Sequence, residues 1–583
     1  MLFSRRKHLS KRRRSSQRAA TKPCAAHTDK RTAHVLEVSH TRILVTGAML
    51  MLAFSAISVR LIDIALFQDA REPKAAHATH TQAMRMDRSD IVDRNGVLLA
   101  TNLNTASLYA NPRKIIDADD AARQLVQALP GLREAEVARS LKTDRSFIWL
   151  QRNLTPRQQS KVNALGIPGL YFQSAETRVY PNGPLAAHIL GYVDIDNRGI
   201  AGIERSFDVS LRDNNTPLQL TIDTRVQHAL QSELASAKAE FDAIGAAGII
   251  MDVSNGEVLA MASLPDYDPN NAGAALPDQR FNRTTLGVYE LGSTFKIFTA
   301  AMALDYGVVK LNGGYDATEP IRVSRFLIRD YHAKKRWLSV PEIFMYSSNI
   351  GAAKMAQDVG TEAQQEFFNQ LGMLRQANIE LPEVGTPITP SPWRPVNTMT
   401  ISYGHGMAVS PLQLVTGVSA MVNGGLVHRP TLIRKESPEP PKGKRVISER
   451  TSSEVRRLMR LVVENGTGKN ASAEGYVVGG KTGTADKPGN GGYRRRSLIS
   501  SFVAAFPMHA PRYVVLVILD EPQGNKKTHG YATGGWVAAP SVKRLIERTA
   551  PLLGVRPVDE TSPEIHELLD IEPNQEGRQL ASY

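Results

Sequence analysis

Ser293-Thr294-Phe295-Lys296 opens a stretch, STFKIFTAAMALDYG, that is apolar on nearly every face until Gly307. A helix that is apolar all round is buried, so a lysine in its first turn is partly desolvated and its pKa falls. Positions three apart are neighbours on a helix, which puts Lys296 within reach of the Ser293 hydroxyl. Ser293 also follows Gly292 at the helix start, where free N–H groups favour developing negative charge. The chemistry expected is nucleophilic: a serine hydroxyl, an adjacent amine able to take its proton, and N–H donors for an oxyanion. The pattern alone is short, and Ser4-Arg5-Arg6-Lys7 meets it by chance. Two further motifs add weight: Ser347-Ser348-Asn349 follows 54 residues later, and Lys481-Thr482-Gly483-Thr484 comes 134 after that.

The elements around these motifs can be read from hydrophobic patterning. Gln227 to Phe241 reads as a helix, and two apolar β runs flank Asn255-Gly256, a strong hairpin signal. A second strand group comes late: Tyr476–Thr484, Ser497–Phe506 and Tyr513–Asp520, with a last helix over Val542–Ala550. Strands at both ends with helices between them imply a mixed sheet that closes over a long helical insertion. Before it, from about Met84 to Arg225, short apolar runs alternate with Gly/Pro/Asn turns, the texture of an α+β module with hairpins.

The N-terminus is different. Residues 1–42 hold twelve Lys/Arg against Asp29 and Glu37, most of the net charge of +14 carried by all 583 residues. The rest of the chain is nearly balanced, so a genome-binding domain is not indicated. Ile43 to Val59 is uncharged, and continuing through Arg60 to Phe67 gives a membrane-spanning length, because Arg60 can snorkel. The basic flank sets the N-terminus in the cytoplasm and the remainder outside. The expected organisation is a basic tail (1–42), a single transmembrane anchor (43–67), a non-catalytic α+β pedestal (68–235), a catalytic domain (236–555) and a flexible acidic tail (556–583). With Cys24 the only cysteine, intramolecular disulfides and thiolate zinc clusters are excluded. No H-E-x-x-H occurs, and neither metal nor cofactor is expected. Gly475 to Thr482 also fits G-x-x-x-x-G-K-[ST], but the polar KNASAE before it and TGTADKPGNGG after it cannot supply the strand and helix of a phosphate loop.

Ser-x-x-Lys, Ser-x-Asn and Lys-Thr-Gly in this order form the penicillin-recognising serine signature. With them, the chain resembles the class B penicillin-binding proteins, most closely the division-specific peptidoglycan D,D-transpeptidases (FtsI type), from about Ile43 to Ala550. The likeness includes Arg88–Gly96, Arg178–Gly183, His188–Val193, Gly202–Glu204, Leu220–Asp223, Tyr267–Asn270 and Tyr403–Gly406. Ser89 stands where glycine is usual and Leu291 where proline is usual. Arg88, Asp93, Arg94, Arg178 and Glu204 are expected to join the pedestal, a dimerisation-type domain, to the catalytic domain by ion pairs.

The resemblance implies an α+β fold: one N-terminal transmembrane helix, the pedestal, and a mixed α/β transpeptidase domain with a central antiparallel sheet and a helical subdomain. It implies an inner-membrane protein that cross-links stem peptides during septal wall synthesis through an acyl-serine intermediate and is inhibited by β-lactams. Ser293 is then the nucleophile and Lys296 the base. Ser347 and Lys481 relay the proton to the leaving amine, and Asn349 donates to the substrate's amide carbonyl. Lys481, Thr482 and Thr484 suit the substrate carboxylate, while Gly483 removes a side chain that would block a peptide laid along the strand. The N–H groups of Ser293 and Thr484 form the oxyanion hole. The implied partners are stem peptides, β-lactams, membrane-embedded division proteins and a glycosyltransferase, with no nucleic acid. Arg494–Arg496 are read as a solvated charge run, with contact to anionic glycan or lipid as the other reading. A β-lactam-hydrolysing or sensing protein and a non-catalytic division scaffold are the alternatives.

Overall fold

The computed structural model describes residues 45–59, 88–214, 216–323, 326–435, 442–489 and 492–571. Residues 45–59 are helical with exposed side chains, and among the described residues no helix is long and apolar enough to cross a membrane. The rest of the expected anchor, Ile43, Leu44 and residues 60–67, lies outside the described residues, as does the basic tail.

The pedestal is a five-stranded sheet with helices on one face. Strands β1 (Leu98–Ala110), β2 (Ile148–Leu154) and β3 (Leu170–Val179) form its antiparallel part, with β1 between the other two, and two short strands at Ile91–Val92 and Leu218–Gln219 extend it, paired parallel with each other. Period two turns Leu108, Ala110 and Leu154 inward onto Ala122, Leu125, Val137 and Leu141 of the covering helices. Glu204 is fully buried and accepts from two guanidinium groups, Arg88 Nε at 2.7 Å and Arg178 Nε at 2.7 Å. Tyr180 OH completes its shell at 3.3 Å. These three charged residues therefore pair within the pedestal, contrary to expectation. Asp93 and Arg94 do reach the catalytic domain: Asp93 accepts from the Thr224 N–H at 3.0 Å, and Arg94 lies 3.4 Å from Glu257.

Helix α1 (Thr224–Glu240) starts at Asp223, whose carboxylate accepts from Arg225 N. Its face of Val226, Leu230, Leu234 and Ala237 packs against Ile250 and Leu259, so the whole helix belongs to the catalytic core. The expected boundary after residue 235 cuts through it. Strands β4 (Gly245–Asp252) and β5 (Val258–Leu264) follow as the hairpin, with Gly256 at φ +78° in the turn. The helical insertion contains α2 (Lys296–Asp305), α3 (Asn349–Val359), α4 (Pro411–Val422) and α5 (Glu449–Glu464). Then come β6 (Gly479–Gly489), β7 (Gly492–Phe506) and β8 (Tyr513–Asp520).

The sheet order is β6-β7-β8-β4-β5, antiparallel at every step. The hydrophobic runs imply its strands but a mixed sheet, whereas every pairing is antiparallel; β6, which carries Lys481–Thr484, lies at its edge. One face is covered by α1 and α6 (Ala539–Thr549), the other by the helices of the insertion. The segment from residue 556 is not a loose tail throughout. Helix α7 (Pro563–Leu569) buries Ile565 and Leu569, and Glu560 pairs with Arg460 at 2.8 Å. A single i, i+4 apolar pair is enough to dock it, too short a pattern to stand out in acidic sequence.

Candidate active site

The nucleophile sits on a tight 3-10 turn, Gly292–Phe295, that runs directly into α2. Phe295 is fully buried and meets Phe298 edge-on at 5.6 Å, which fixes the turn to the core. Gly292 has φ +56°, and a Cβ there would come within 2.5 Å of the Thr484 carbonyl oxygen. The turn thus needs glycine both for its backbone conformation and for its approach to β6. Gly292 N donates to Gly404 O at 3.3 Å, so the Tyr403–Gly406 segment braces the same turn.

Lys296 is 2% exposed, as its all-apolar helix requires. Its Nζ lies 2.9 Å from Ser293 Oγ, 2.9 Å from the Ser347 carbonyl oxygen, 3.1 Å from Ser347 Oγ and 2.7 Å from Asn349 Oδ1. Burial, with the charge of Lys481 added, holds its pKa well below the ordinary lysine value, against a smaller opposing pull from Asp330. When it gives up its own proton, the amine at that distance has a lone pair for the Ser293 proton. Ser347 adopts φ +60°, a left-handed conformation costly for a residue with a side chain, and in it presents both its carbonyl and its hydroxyl to Lys296.

Lys481 is fully buried and donates to Ser347 Oγ at 3.0 Å, so that hydroxyl bridges the two lysines. Burial pushes the Lys481 ammonium down to about 7. Thr482 Oγ1 lies 2.9 Å from Thr467 Oγ1, and Thr484 Oγ1 accepts from Gly534 N at 3.0 Å. Gly483 differs from expectation. A Cβ there would strike Ser501 Oγ at 2.3 Å and the Leu291 carbonyl oxygen at 2.5 Å. Its missing side chain lets β6 press against the nucleophile turn.

The residues singled out in sequence thus converge: Ser293, Lys296, Ser347, Asn349 and Lys481 form one hydrogen-bonded chain, with Thr482, Gly483 and Thr484 beside it. One residue was missed. Asp330 accepts from Ser348 Oγ at 2.7 Å, from Asn349 N at 2.6 Å and from Ile350 N at 2.9 Å. It caps the start of α3 and sets Asn349 against Lys296. No local pattern marks it, since it is one acid in a polar loop. The phosphate-loop decoy is disposed of by β6 itself, which continues as strand through Lys481–Thr484. The side chains of Arg494–Arg496 lie outside the described residues.

The site sets a serine hydroxyl against a lysine amine whose hold on its proton is weakened, with a second buried lysine beside it. Sequence comparison agrees with that chemistry. The penicillin binding protein transpeptidase domain matches residues 246–547, and the penicillin-binding protein dimerisation domain matches residues 84–231. "Probable peptidoglycan D,D-transpeptidase FtsI" of Caulobacter vibrioides is 44% identical over 492 residues, 82% of this chain and 83% of that one. "Probable peptidoglycan D,D-transpeptidase PenA" of Neisseria gonorrhoeae is 34% identical, covering 82% and 86%. "Peptidoglycan D,D-transpeptidase FtsI" of Escherichia coli is 31% identical, covering 79% and 82%. A crystal structure of a peptidoglycan synthetase from Bifidobacterium adolescentis shares the fold, with TM-score 0.65 at 23% identity over 82% of this chain and 98% of that one.

Proposed function

The chain belongs to the class B penicillin-binding proteins, which join a dimerisation domain to a transpeptidase domain, and from that premise we propose how its residues cross-link peptidoglycan as a D,D-transpeptidase. Ser293 attacks the carbonyl of the penultimate residue of a D-Ala-D-Ala stem terminus. Lys296 takes the hydroxyl proton, and Ser347 with Lys481 passes it to the departing D-alanine amine. The N–H groups of Ser293 and Thr484 receive the oxyanion. Lys481, with the hydroxyls of Thr482 and Thr484, holds the terminal carboxylate, and Asn349 orients the stem peptide. An amine of a neighbouring strand then resolves the ester into a cross-link. β-Lactams enter by the same first step and stall at the acyl-serine.

The observation that carries this reading is the 2.9 Å contact between the buried Lys296 Nζ and Ser293 Oγ, with Ser347 Oγ linking on to Lys481. The septal role, the inner-membrane location with a cytoplasmic N-terminus and the partnership with division proteins and a glycosyltransferase belong to the same proposal. The basic residues 1–42 before the uncharged run support the topology. A reporter fused after Phe67 that works only in the cytoplasm would overturn that orientation.

The test of the chemistry is intact-protein mass spectrometry after incubation with penicillin. A single adduct on the Ser293 peptide that persists for minutes in buffer is expected, with none on Ser293→Ala. Rapid loss of the adduct with repeated turnover of penicillin would favour a β-lactamase instead.

A further inference from the structure

Four of the eight aromatic residues between positions 88 and 222 gather at one place on the pedestal: Tyr109, Phe147, Trp149 and Tyr171. Register explains three of them. Tyr109 on the central strand β1 lies opposite Trp149 on β2 and Tyr171 on β3, so these project from one face of the sheet in a row across it. The opposite face is the one already filled by the core of Leu108, Ala110 and Leu154, so the aromatic face has no part in that core.

The Tyr109 and Tyr171 rings stack at 5.3 Å, and Phe147 lies 4.8 Å from Tyr109. Phe147 and Trp149 meet at 85° with centroids 4.9 Å apart, which makes a corner. Phe147 remains 44% exposed and Trp149 38%. Leaving two large rings in water on a rigid sheet is unfavourable unless something else covers them. Cations flank the row at both ends: Arg152 over Trp149 at 5.0 Å and Lys114 beside Tyr171 at 5.5 Å.

We propose that this aromatic row is a binding platform for the glycan strand of peptidoglycan, a site separate from the serine centre. The inference rests on the transpeptidase reading, which makes the polymer this chain's substrate. A pyranose offers a C–H face that packs on an aromatic ring and hydroxyls that need polar neighbours at the rim, and the row supplies both. Lys114, whose side chain is exposed, complements the carboxylates that hang from the glycan, while Arg152 beside Trp149 is paired with Asp196 at 3.0 Å. Because the stem peptide that enters the serine centre is covalently part of the same polymer, a weak hold on the glycan raises the local concentration of stem peptides without any tight contact.

The test uses the full-length protein, acylated beforehand with penicillin, and glycan strands freed of all stem peptides and coupled to beads. The only ligand offered is then the glycan, and the serine centre is blocked. The wild type should cosediment with the glycan-coated beads. The double variant Phe147→Ala, Trp149→Ala should bind about tenfold more weakly, as expected when exposed aromatic anchors are truncated. Trp149→Phe should keep most of the binding, and thermal melting checks that each variant is folded. The proposal is overturned if the wild type stays in the supernatant, if it binds intact sacculi but not the glycan-coated beads, or if the folded double variant cosediments as well as the wild type. It is equally overturned if the row proves to seat a protein and no sugar. Fluorescent penicillin on the wild type is the separate check: labelling without glycan binding refutes the platform alone, and glycan binding without labelling refutes the transpeptidase reading.

Discussion

Replacing Lys481 with methionine should stabilise this protein while abolishing its reaction with penicillin. Burial lowers the Lys481 pKa from 10.5 to about 7, a penalty on the charged form of roughly 5 kcal/mol at 1.36 kcal/mol per unit. Methionine fills a similar volume without that penalty. It forfeits the donations to Ser347 Oγ at 3.0 Å and to Thr482, together worth about 1–3 kcal/mol. A net gain of roughly 2–4 kcal/mol follows, a rise in melting temperature of several degrees for a domain of this size.

The sign depends on pH. Below about 7 the lysine is protonated in both folded and unfolded chains, and the whole penalty is present. Between about 7 and 10.5 only the unfolded chain keeps the proton, so wild-type stability climbs with pH and the advantage of the variant fades. Differential scanning calorimetry at pH 6 and pH 9.5, without ligand, reads both effects. Acylation by fluorescent penicillin should fall at least a hundredfold, because the site loses its fixed cation. A Lys481→Met protein that melts at or below the wild type at pH 6 would refute the account of Lys481 as a strained, functionally retained charge.

Three other outcomes follow from the geometry. Lys296→Ala should abolish acylation, more than a thousandfold by stopped-flow labelling, since Ser293 then loses the only amine within hydrogen-bond distance in the described site. Asp330→Ala removes three hydrogen bonds from the start of α3 and should slow acylation about 10- to 100-fold, with the penicilloyl ester still forming on Ser293 at long times. Glu204→Gln leaves two buried guanidinium groups sharing a neutral partner and should cost about 3–5 kcal/mol, seen as an early pedestal melting transition.

The parts legible in sequence were those with short-range signals. The β4–β5 hairpin announced itself through Asn255-Gly256, and β8 through the unbroken apolar run Tyr513–Asp520 that a doubly covered strand requires. All eight motif residues stand out because their types and order carry a known chemistry. What stayed hidden depends on approach between distant segments. Gly483 looked like a residue clearing the way for substrate, yet its constraint is the Leu291 carbonyl oxygen, nearly two hundred positions earlier. Asp330 belongs to a loop with no pattern. The Arg88–Glu204–Arg178 cluster was misplaced as an inter-domain lock because residue type shows that a charge needs a partner and not which side of a boundary the partner is on.

The two lysines show what the fold adds to the motifs. The sequence reading makes Lys296 the base, and the structure brings Lys481 to the same hydroxyl, Ser347 Oγ. Two ammonium groups linked through one hydroxyl repel each other, so the site is most stable with one proton between them. Lys296 feels the charge of Lys481 in addition to its own burial, whereas burial alone acts on Lys481. Lys296 is therefore the amine whose protonation the other lysine opposes. Lys296 is also the one in contact with Ser293 Oγ, and Ser347, held at φ +60°, lends its hydroxyl to both amines. A proton taken from Ser293 thus has a continuous path to the edge strand where the substrate's leaving group must lie, and the strained serine is the link that neither flanking motif could provide alone.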